Sequence, residues 1–247
     1  MLSKEVFLQL GNDYLLKHSL GKRTLNTNKY DISLIKDLKI DIKSKKVNIL
    51  IDGEEINIKL LTLPKCSDLA LNDLIKNELS YYFRDVENIT FNYVVLKEDK
   101  YKMEVVVFCI DIRQINIIDK FLNNKTMISG VYLVQFCFMN YFKNMISEKD
   151  YIFVFIYREK IYFTYYSNNL IRYNNICDSN DYLKSFNDIL IRLTGNIRIL
   201  NDKTIKKIYF ANGSYSELLI DKLKDYDCID LGYIDEKRFF KIMKSKR

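Results

Sequence analysis

The residues best suited to acid–base or nucleophilic chemistry are few in this sequence, and His18 is its only histidine. A Ser-His-Asp triad would have to use His18, but no G-x-S-x-G segment that could present the serine is present. The acidic pairs Glu54 with Glu55 and Glu148 with Asp150 fall in predicted turns, where solvated carboxylates are expected rather than a general acid and base. These residues predict no catalytic site, and His18 is interpreted as a surface or strand-face side chain.

Metal and phosphate chemistry also lack their usual sequence signals. The five cysteines, at positions 66, 109, 137, 177 and 228, contain no C-x-x-C pair, which argues against a zinc site and against a disulfide framework. No G-x-x-x-x-G-K-[ST] loop occurs. Cys109 and Cys137 lie in apolar segments and are predicted to be small core residues. We therefore predict no metal site.

The net charge of +7 permits an anionic partner but does not require one. The densest basic segments are Lys43–Lys46, Lys203–Lys207 and Lys241–Arg247, and none is long enough to be a nucleic-acid-binding arm. A group of tyrosines could stack on bases, although core and edge packing is favoured because no ribonucleoprotein motif accompanies them. The group is Tyr157, Tyr162, Tyr165, Tyr166 and Tyr173. Nucleic-acid binding therefore remains only an alternative.

The 247 residues, 48% of them hydrophobic, are enough for a sizeable core in one or two domains. The N-terminus lacks the long apolar segment of a signal peptide. The longest apolar stretch, Val131–Phe142, is well short of the roughly 20 residues that a membrane span needs. We expect a soluble, cytoplasmic protein.

Predicted strands and helices, which would position any site, alternate along the chain. Each half of the chain opens with paired strands. The predicted strands are Glu5–Leu10, Tyr14–Leu20, Lys46–Asp52, Ile56–Leu61, Asn92–Lys97, Met103–Ile110, Val131–Phe136, Tyr151–Arg158, Lys160–Ser167, Leu170–Ile176, Lys206–Ala211 and Cys228–Leu231. The predicted helices are Asp31–Lys39, Ser67–Phe83, Ile112–Asn123, Phe138–Met145, Asn180–Thr194, Tyr215–Lys224 and Asp235–Lys244. Lys46–Asp52 is expected to form a hairpin with Ile56–Leu61. This order predicts an α/β architecture with two related lobes.

Five segments, in this order, resemble the PilM family and the related cytoplasmic domain of GspL proteins. Val6–Gly11 is similar to the family's opening strand, where Gly-Ile-Asp-Ile-Gly is typical. Lys46–Lys65 resembles its strand pair with a Leu-Pro-Lys exit, and Ser67–Phe83 resembles the helix that follows. Tyr151–Asn174 is similar to the opening meander of the second lobe, and Ile208–Ser214 to a late strand-to-glycine turn.

The resemblance implies an actin-like, ribonuclease H-like fold of two lobes, the second of them reduced. The first lobe would span residues 1–149, with a small α/β subdomain inserted at about 40–130, and the second lobe would span residues 150–247. In active relatives two turns cradle phosphates and nearby aspartates hold magnesium.

This sequence departs from that pattern at each of these points. Gln9 stands where the opening aspartate is expected, although Gly11 is retained. Phe155 and Tyr157 stand where the second turn would carry Asp and Gly, and the late turn keeps Gly213 without a second glycine. A phenyl ring cannot coordinate a hard cation, so the resemblance implies a degenerate nucleotide site with no cofactor and no enzymatic activity.

The resemblance also implies a role in a type IV pilus or type II secretion platform. The protein would be a scaffold at the inner face of the cytoplasmic membrane, where it would bind the cytoplasmic tail of a PilN-like membrane protein and the assembly ATPase. An apolar groove between Ser67–Phe83 and Met103–Ile110 would hold the tail, with Leu74, Leu79 and Tyr82 as contacts. The alternatives are an active actin-like ATPase and a basic nucleic-acid-binding protein.

Overall fold

The computed structural model divides the chain into two compact units, which are described separately. Unit 1 comprises Met1–Gly53 and Ile118–Arg247, and unit 2 comprises Glu54–Ile117. The structure describes residues 5–11, 13–21, 24–32, 40, 42, 46–113, 127–168, 170–179, 188, 191, 205–213, 223, 224 and 226–244. The lobe boundary predicted near residue 150 stays a prediction.

The first sheet of unit 1 has the strand order β3-β2-β1-β4-β8. Its strands are β1 (Glu5–Leu10), β2 (Tyr14–Leu20), β3 (Leu25–Asp31), β4 (Lys46–Ile51) and β8 (Met127–Leu133). The first three form an antiparallel meander, and β4 then lies parallel to β1 with Gln9 opposite Leu50. Since β1 and β4 are parallel, their carboxyl ends lie side by side, and residues 9–11 are brought next to Asp52.

The second sheet of unit 1 repeats this plan with the order β11-β10-β9-β12-β13. Its strands are β9 (Tyr151–Tyr157), β10 (Lys160–Ser167), β11 (Leu170–Asp178), β12 (Lys207–Ala211) and β13 (Asp227–Asp230). Again an antiparallel meander is followed by strands parallel to its first member. The similar order of the two halves, expected from the sequence, is confirmed.

Two short helices of unit 1 carry aromatic side chains into its core. They are α2 (Val134–Phe142) and α3 (Glu236–Lys244). Phe138 of α2 stacks on Phe155 with ring centroids 4.1 Å apart, and Phe239 lies 5.2 Å from Phe138. Phe240 of α3 packs on Phe7 of β1 at 5.0 Å. These contacts bury the apolar face of α3 and leave its charged face outward.

Unit 2 is a three-stranded antiparallel sheet, in the order β5-β7-β6, with one helix on its face. Its elements are β5 (Asn57–Pro64), α1 (Asp68–Tyr82), β6 (Ile89–Glu98) and β7 (Lys102–Asp111). Ser67 caps α1 by accepting a hydrogen bond from the backbone N–H of Ala70. The helix buries Leu71, Ile75 and Leu79 against strand residues such as Val105 and Val107. The predicted helix and its cap are thereby confirmed.

Several predicted elements need correction. β4 pairs with β1 and β8, and β5 pairs with β7, so the hairpin expected between them does not form. β3 was missed because its sequence, Leu-Asn-Thr-Asn-Lys-Tyr-Asp, is that of a polar edge strand. β8 spans Met127–Leu133, so it begins before the strand predicted at Val131–Phe136 and runs through Gly130. The predicted helices at 31–39, 112–123, 180–194 and 215–224 lie wholly or mostly outside the described residues.

Among the described residues, no helix has both the length and the apolar character needed to cross a membrane.

Candidate functional site

Four of the five residues assigned to the degenerate nucleotide site lie in or beside one aromatic and polar region of unit 1. Gln9 and Gly11 lie at the end of β1, and Phe155 and Tyr157 lie at the end of β9. Because side chains two apart share a face of a strand, Phe155 and Tyr157 point the same way. The Tyr157 hydroxyl donates a 3.0 Å hydrogen bond to Oε1 of Gln9, which directly joins the two strand ends.

The remaining member, Gly213, follows β12 and packs on β9. A Cβ added at Gly213 would lie 2.6 Å from Cδ1 of Ile156, so a larger residue would require the Ile156 side chain to move. The neighbouring Asn212, which has a positive φ of 56°, donates to the backbone carbonyl of Ile156 over 2.8 Å. The late turn that carries Gly213 is therefore held by groups of its own chain.

Asp52, which sequence analysis did not select, lies at the centre of the polar region. Its carboxylate accepts a 2.7 Å hydrogen bond from Nε2 of Gln9 and further hydrogen bonds from the hydroxyls of Tyr14 and Tyr162. The Tyr162 hydroxyl in turn accepts a 2.9 Å bond from the backbone N–H of Gly53. Gly53 has a φ of +85°, a backbone conformation that favours glycine, so the Asp-Gly pair directs both groups towards Tyr162.

His18 completes this network from β2. The side-chain nitrogen of Gln9 donates to Asp52, so its oxygen must accept the 3.1 Å bond from Nε2 of His18. Burial lowers the pKa of His18 to about 4, so the ring is neutral near pH 7; with its proton on Nε2, its Nδ1 accepts from the Thr27 hydroxyl over 2.9 Å. His18 does lie on a strand, but the predicted surface position is wrong, because the side chain is fully buried. Its ring centroid lies 4.4 Å from that of Phe240.

Burial dominates the electrostatics of the network. It raises the pKa of Asp52 above its ordinary value, although hydrogen bonds from Tyr14, Tyr162 and Gln9 oppose the shift. Burial, assisted by the Arg158 cation, lowers the pKa of His18 to about 4. Burial also raises the pKa of Tyr14, Tyr157 and Tyr162, which remain neutral donors. Both ring nitrogens of His18 are engaged, and both oxygens of Asp52 accept hydrogen bonds from side chains of the protein.

The residues present do not fit a magnesium triphosphate at this position. A Cβ at Gly11 would meet ring atoms of Tyr14 at 2.5–2.9 Å, so the Tyr14 ring already occupies the space beside this turn. The ring of Phe155 is sandwiched between Tyr162, at 4.6 Å, and Phe138. Among the described residues, no three His, Cys, Asp or Glu side chains gather as metal ligands do. We therefore derive no step through a bound nucleotide.

An open cleft of about 480 Å³ lies beside the network, between the β1–β2 turn and the β9–β10 turn. Its charged lining is balanced, with the basic residues Lys29, Arg158 and Lys160 and the acidic residues Asp13, Glu159 and Asp178. Arg158 is already paired with Glu236 at 3.2 Å. Such a lining gives a polyanion little net attraction.

Sequence analysis did not assign Asp52, Tyr14 or Tyr162 to this site, although each had a recognisable signal. Asp52 directly follows an apolar strand, as site carboxylates at the ends of parallel strands do. It was overlooked because β4 was expected to pair with β5. Tyr14 begins the strand after the first turn, and Tyr162 lies opposite Phe155 in a predicted hairpin.

The predicted partner contacts belong to unit 2, where the structure separates them. Leu79 is fully buried between α1 and the sheet, so it fills the core and is not available to a partner. The expected groove between α1 and β7 is absent, because these two elements pack on each other through that core. Leu74 is partly buried, and Tyr82 is 53% exposed with Nζ of Lys59 lying 4.5 Å from its ring centroid.

The tyrosines considered for base stacking are mostly internal. Tyr157, Tyr162, Tyr165 and Tyr166 are all buried, and the packing interpretation is confirmed for these four. Cys109 and Cys137 are also buried, as predicted, and burial raises the pKa of the Cys109 thiol to about 11.

Solved structures that match almost the whole chain include two with a TM-score above 0.5. One, from the PilM–PilN type IV pilus biogenesis complex, is 12% identical over 98% of this chain and 94% of that one, with a TM-score of 0.61. The other is a Bacteroides thetaiotaomicron protein of actin-like ATPase fold and unknown function, 13% identical over 99% and 96% of the two chains, with a TM-score of 0.54. No protein-family model matches the sequence, and no curated protein is significantly similar to it. The chain therefore has the predicted actin-like fold, in the form that it shares with the PilM–PilN structure.

Proposed function

We propose that this protein is a non-catalytic cytoplasmic scaffold of a type IV pilus or type II secretion platform at the inner face of the membrane. The observation that carries the proposal is the fold match over nearly the full length of both chains to the PilM–PilN complex. In this role the protein binds the cytoplasmic tail of a PilN-like membrane protein and contacts the assembly ATPase.

The absence of catalysis is inferred from the chemistry of the buried network. Hydrolysis of a triphosphate needs a cation to offset the charge of the transferred phosphoryl group and a group that positions water. At the expected cation position, Gln9 donates to Asp52, and both oxygens of Asp52 are engaged by side chains of the protein. The network already satisfies the groups that a magnesium ion would have to recruit.

We propose unit 2 as the partner surface because apolar side chains are exposed on it. Tyr82 and Leu60 are 53% and 56% exposed, and Lys59, which directly precedes Leu60 in the sequence, has its ammonium group over the Tyr82 ring. β5, which carries Lys59 and Leu60, is an edge strand of its sheet. An exposed strand edge beside an aromatic side chain can accept an extended peptide. We retain Tyr82 and Leu74 as proposed contacts with the tail and exclude Leu79, because it is fully buried.

Calorimetric titration of the purified protein with the tail peptide of the PilN-like protein from the same genome tests the proposal. We expect saturable binding with a Kd on the order of micromolar. Tyr82→Ala should weaken binding about tenfold. Tyr101→Ala is the matched control, since Tyr101 is 74% exposed at the end of the same sheet and should leave the affinity unchanged. A folded protein that shows no binding would contradict the proposal.

The non-catalytic part of the proposal is tested separately with 1 mM Mg-ATP. We expect no rise in melting temperature and no release of phosphate above a protein-free control, because a ligand stabilises only in proportion to its binding. A rise of several degrees would contradict the absence of nucleotide binding. Phosphate release that is abolished by Asp52→Ala would support an actin-like ATPase instead.

A further inference from the structure

Three hydrogen bonds cross between the two five-stranded sheets of unit 1 where β1, β4 and β9 end. Tyr157 donates to Gln9 over 3.0 Å, Tyr162 donates to Asp52, and the backbone N–H of Gly53 donates to the Tyr162 hydroxyl over 2.9 Å. Gln9, Asp52 and Gly53 belong to the first sheet and its β4 exit, and both tyrosines belong to the second sheet. We name these five residues the clasp.

We propose that the clasp is a nucleotide-independent closing device, which holds the two sheets of unit 1 together at the position where a bound nucleotide would bridge their turns. The inference goes beyond the proposed function and does not depend on the identity of any partner. It assigns a positive role to two residues that depart from the family pattern, because Gln9 and Tyr157 are hydrogen-bond partners of each other.

Several features make the clasp strong enough for this role. Gln9, Asp52, Tyr157 and Tyr162 are all at most 3% exposed, so their hydrogen bonds do not compete with water. The Asp52 carboxyl group accepts three hydrogen bonds, from Gln9, Tyr14 and Tyr162, so both of its oxygens have partners within the protein. The ring centroids of Phe155 and Tyr162 lie 4.6 Å apart, and those of Phe138 and Tyr157 lie 5.2 Å apart. These ring contacts restrict the orientation of both phenols.

Tyr14 provides a control that distinguishes bonds between the sheets from other bonds of the same network. Tyr14 donates to the same Asp52 carboxylate as Tyr162, but Tyr14 lies on β2 and belongs to the first sheet. Removing the Tyr14 hydroxyl deletes a hydrogen bond of similar chemistry without deleting a bond between the sheets. A device that closes the sheets must therefore respond differently to Tyr14→Phe and to the two clasp tyrosines.

Hydrogen–deuterium exchange of the full chain tests the clasp. In the Tyr157→Phe/Tyr162→Phe double variant, we expect amide exchange about tenfold faster at the ends of β1 and β4 and in the β9–β10 turn, as local opening becomes less costly. The centres of both sheets should stay protected. Tyr14→Phe should change exchange in the β1–β2 turn alone. Mg-ATP at 1 mM should neither slow exchange in the wild type nor restore it in the double variant.

Three results would overturn the inference. Unchanged exchange in the double variant would show that packing alone holds the sheets together. If Tyr14→Phe raised the exchange rate at the β9–β10 turn as much as the double variant does, loss of any hydrogen bond to the network would explain the opening, and the bonds between the sheets would have no special role. Slower exchange of the wild type with Mg-ATP would show that a nucleotide still bridges the turns. If the double variant does not fold, the single variants Tyr157→Phe and Tyr162→Phe give the same comparison.

Discussion

His18 and Asp52 are buried side chains of one hydrogen-bonded network, yet burial moves their pKa values in opposite directions. Desolvation disfavours whichever form is charged, so it raises the pKa of the carboxyl group and lowers that of the imidazole. The neutral histidine is useful here because its two ring nitrogens can donate to Gln9 and accept from Thr27 at the same time. Protonation would remove the acceptor and place a cation in the core.

The stability of His18→Gln should depend less on pH than that of the wild type. The folded-state pKa of His18, about 4, lies below the unfolded value of 6.5, so the unfolded state binds more protons between these pH values. Wild-type stability should therefore fall on acidification through this window, by about 3 kcal/mol from this residue alone. The variant lacks this loss, while Asp52 titrates in both proteins. In urea unfolding at pH 7.0, 5.5 and 4.5, the stability difference between them should narrow; parallel profiles would contradict the assignment.

At the scale of elements, the sequence predicted those helices and hairpins that are determined by residues close together in the chain. Two apolar runs on either side of Arg158-Glu159 predicted the β9–β10 hairpin, whose turn has a positive φ at both residues. The periodic apolar positions of α1 and its Ser67 cap were equally visible. By contrast, the parallel pairing of β4 with β1 joins segments about 40 residues apart and leaves no local pattern. Asp52 was missed for the same reason.

Paired substitutions on α1 test how well the structure separates its core from its surface. Leu79 is fully buried and Leu69 is 84% exposed, so the same Leu→Ala change probes both environments on one helix. Leu79→Ala should lower the free energy of unfolding by about 2–5 kcal/mol, because it leaves a cavity. Leu69→Ala should change it by less than about 0.5 kcal/mol. Equal effects in thermal and urea unfolding would contradict the placement of Leu79 in the core.

At the scale of the whole molecule, the two units of the chain are built on different sheet architectures. Unit 1 repeats one five-stranded plan, and its halves meet through the clasp and through aromatic contacts of α2 and α3. Unit 2 has a sheet, a helix and a hydrophobic cluster of its own. The sequence predicted the repeated plan from element order, but the side chains that join the two sheets depended on long-range register that only the structure supplies.

The separate core of unit 2 predicts that the segment Glu54–Ile117 folds when it is expressed alone. Three antiparallel strands covered by one helix are enough for independent stability, although a chain of about 60 residues is marginal. We expect dispersed amide resonances and a cooperative urea transition with a stability of about 3 kcal/mol. In the same segment, Leu79→Ala removes a comparable free energy and should give random-coil shifts. Random-coil shifts in the unmodified segment would show instead that the cluster around Leu79 needs the rest of the chain to form.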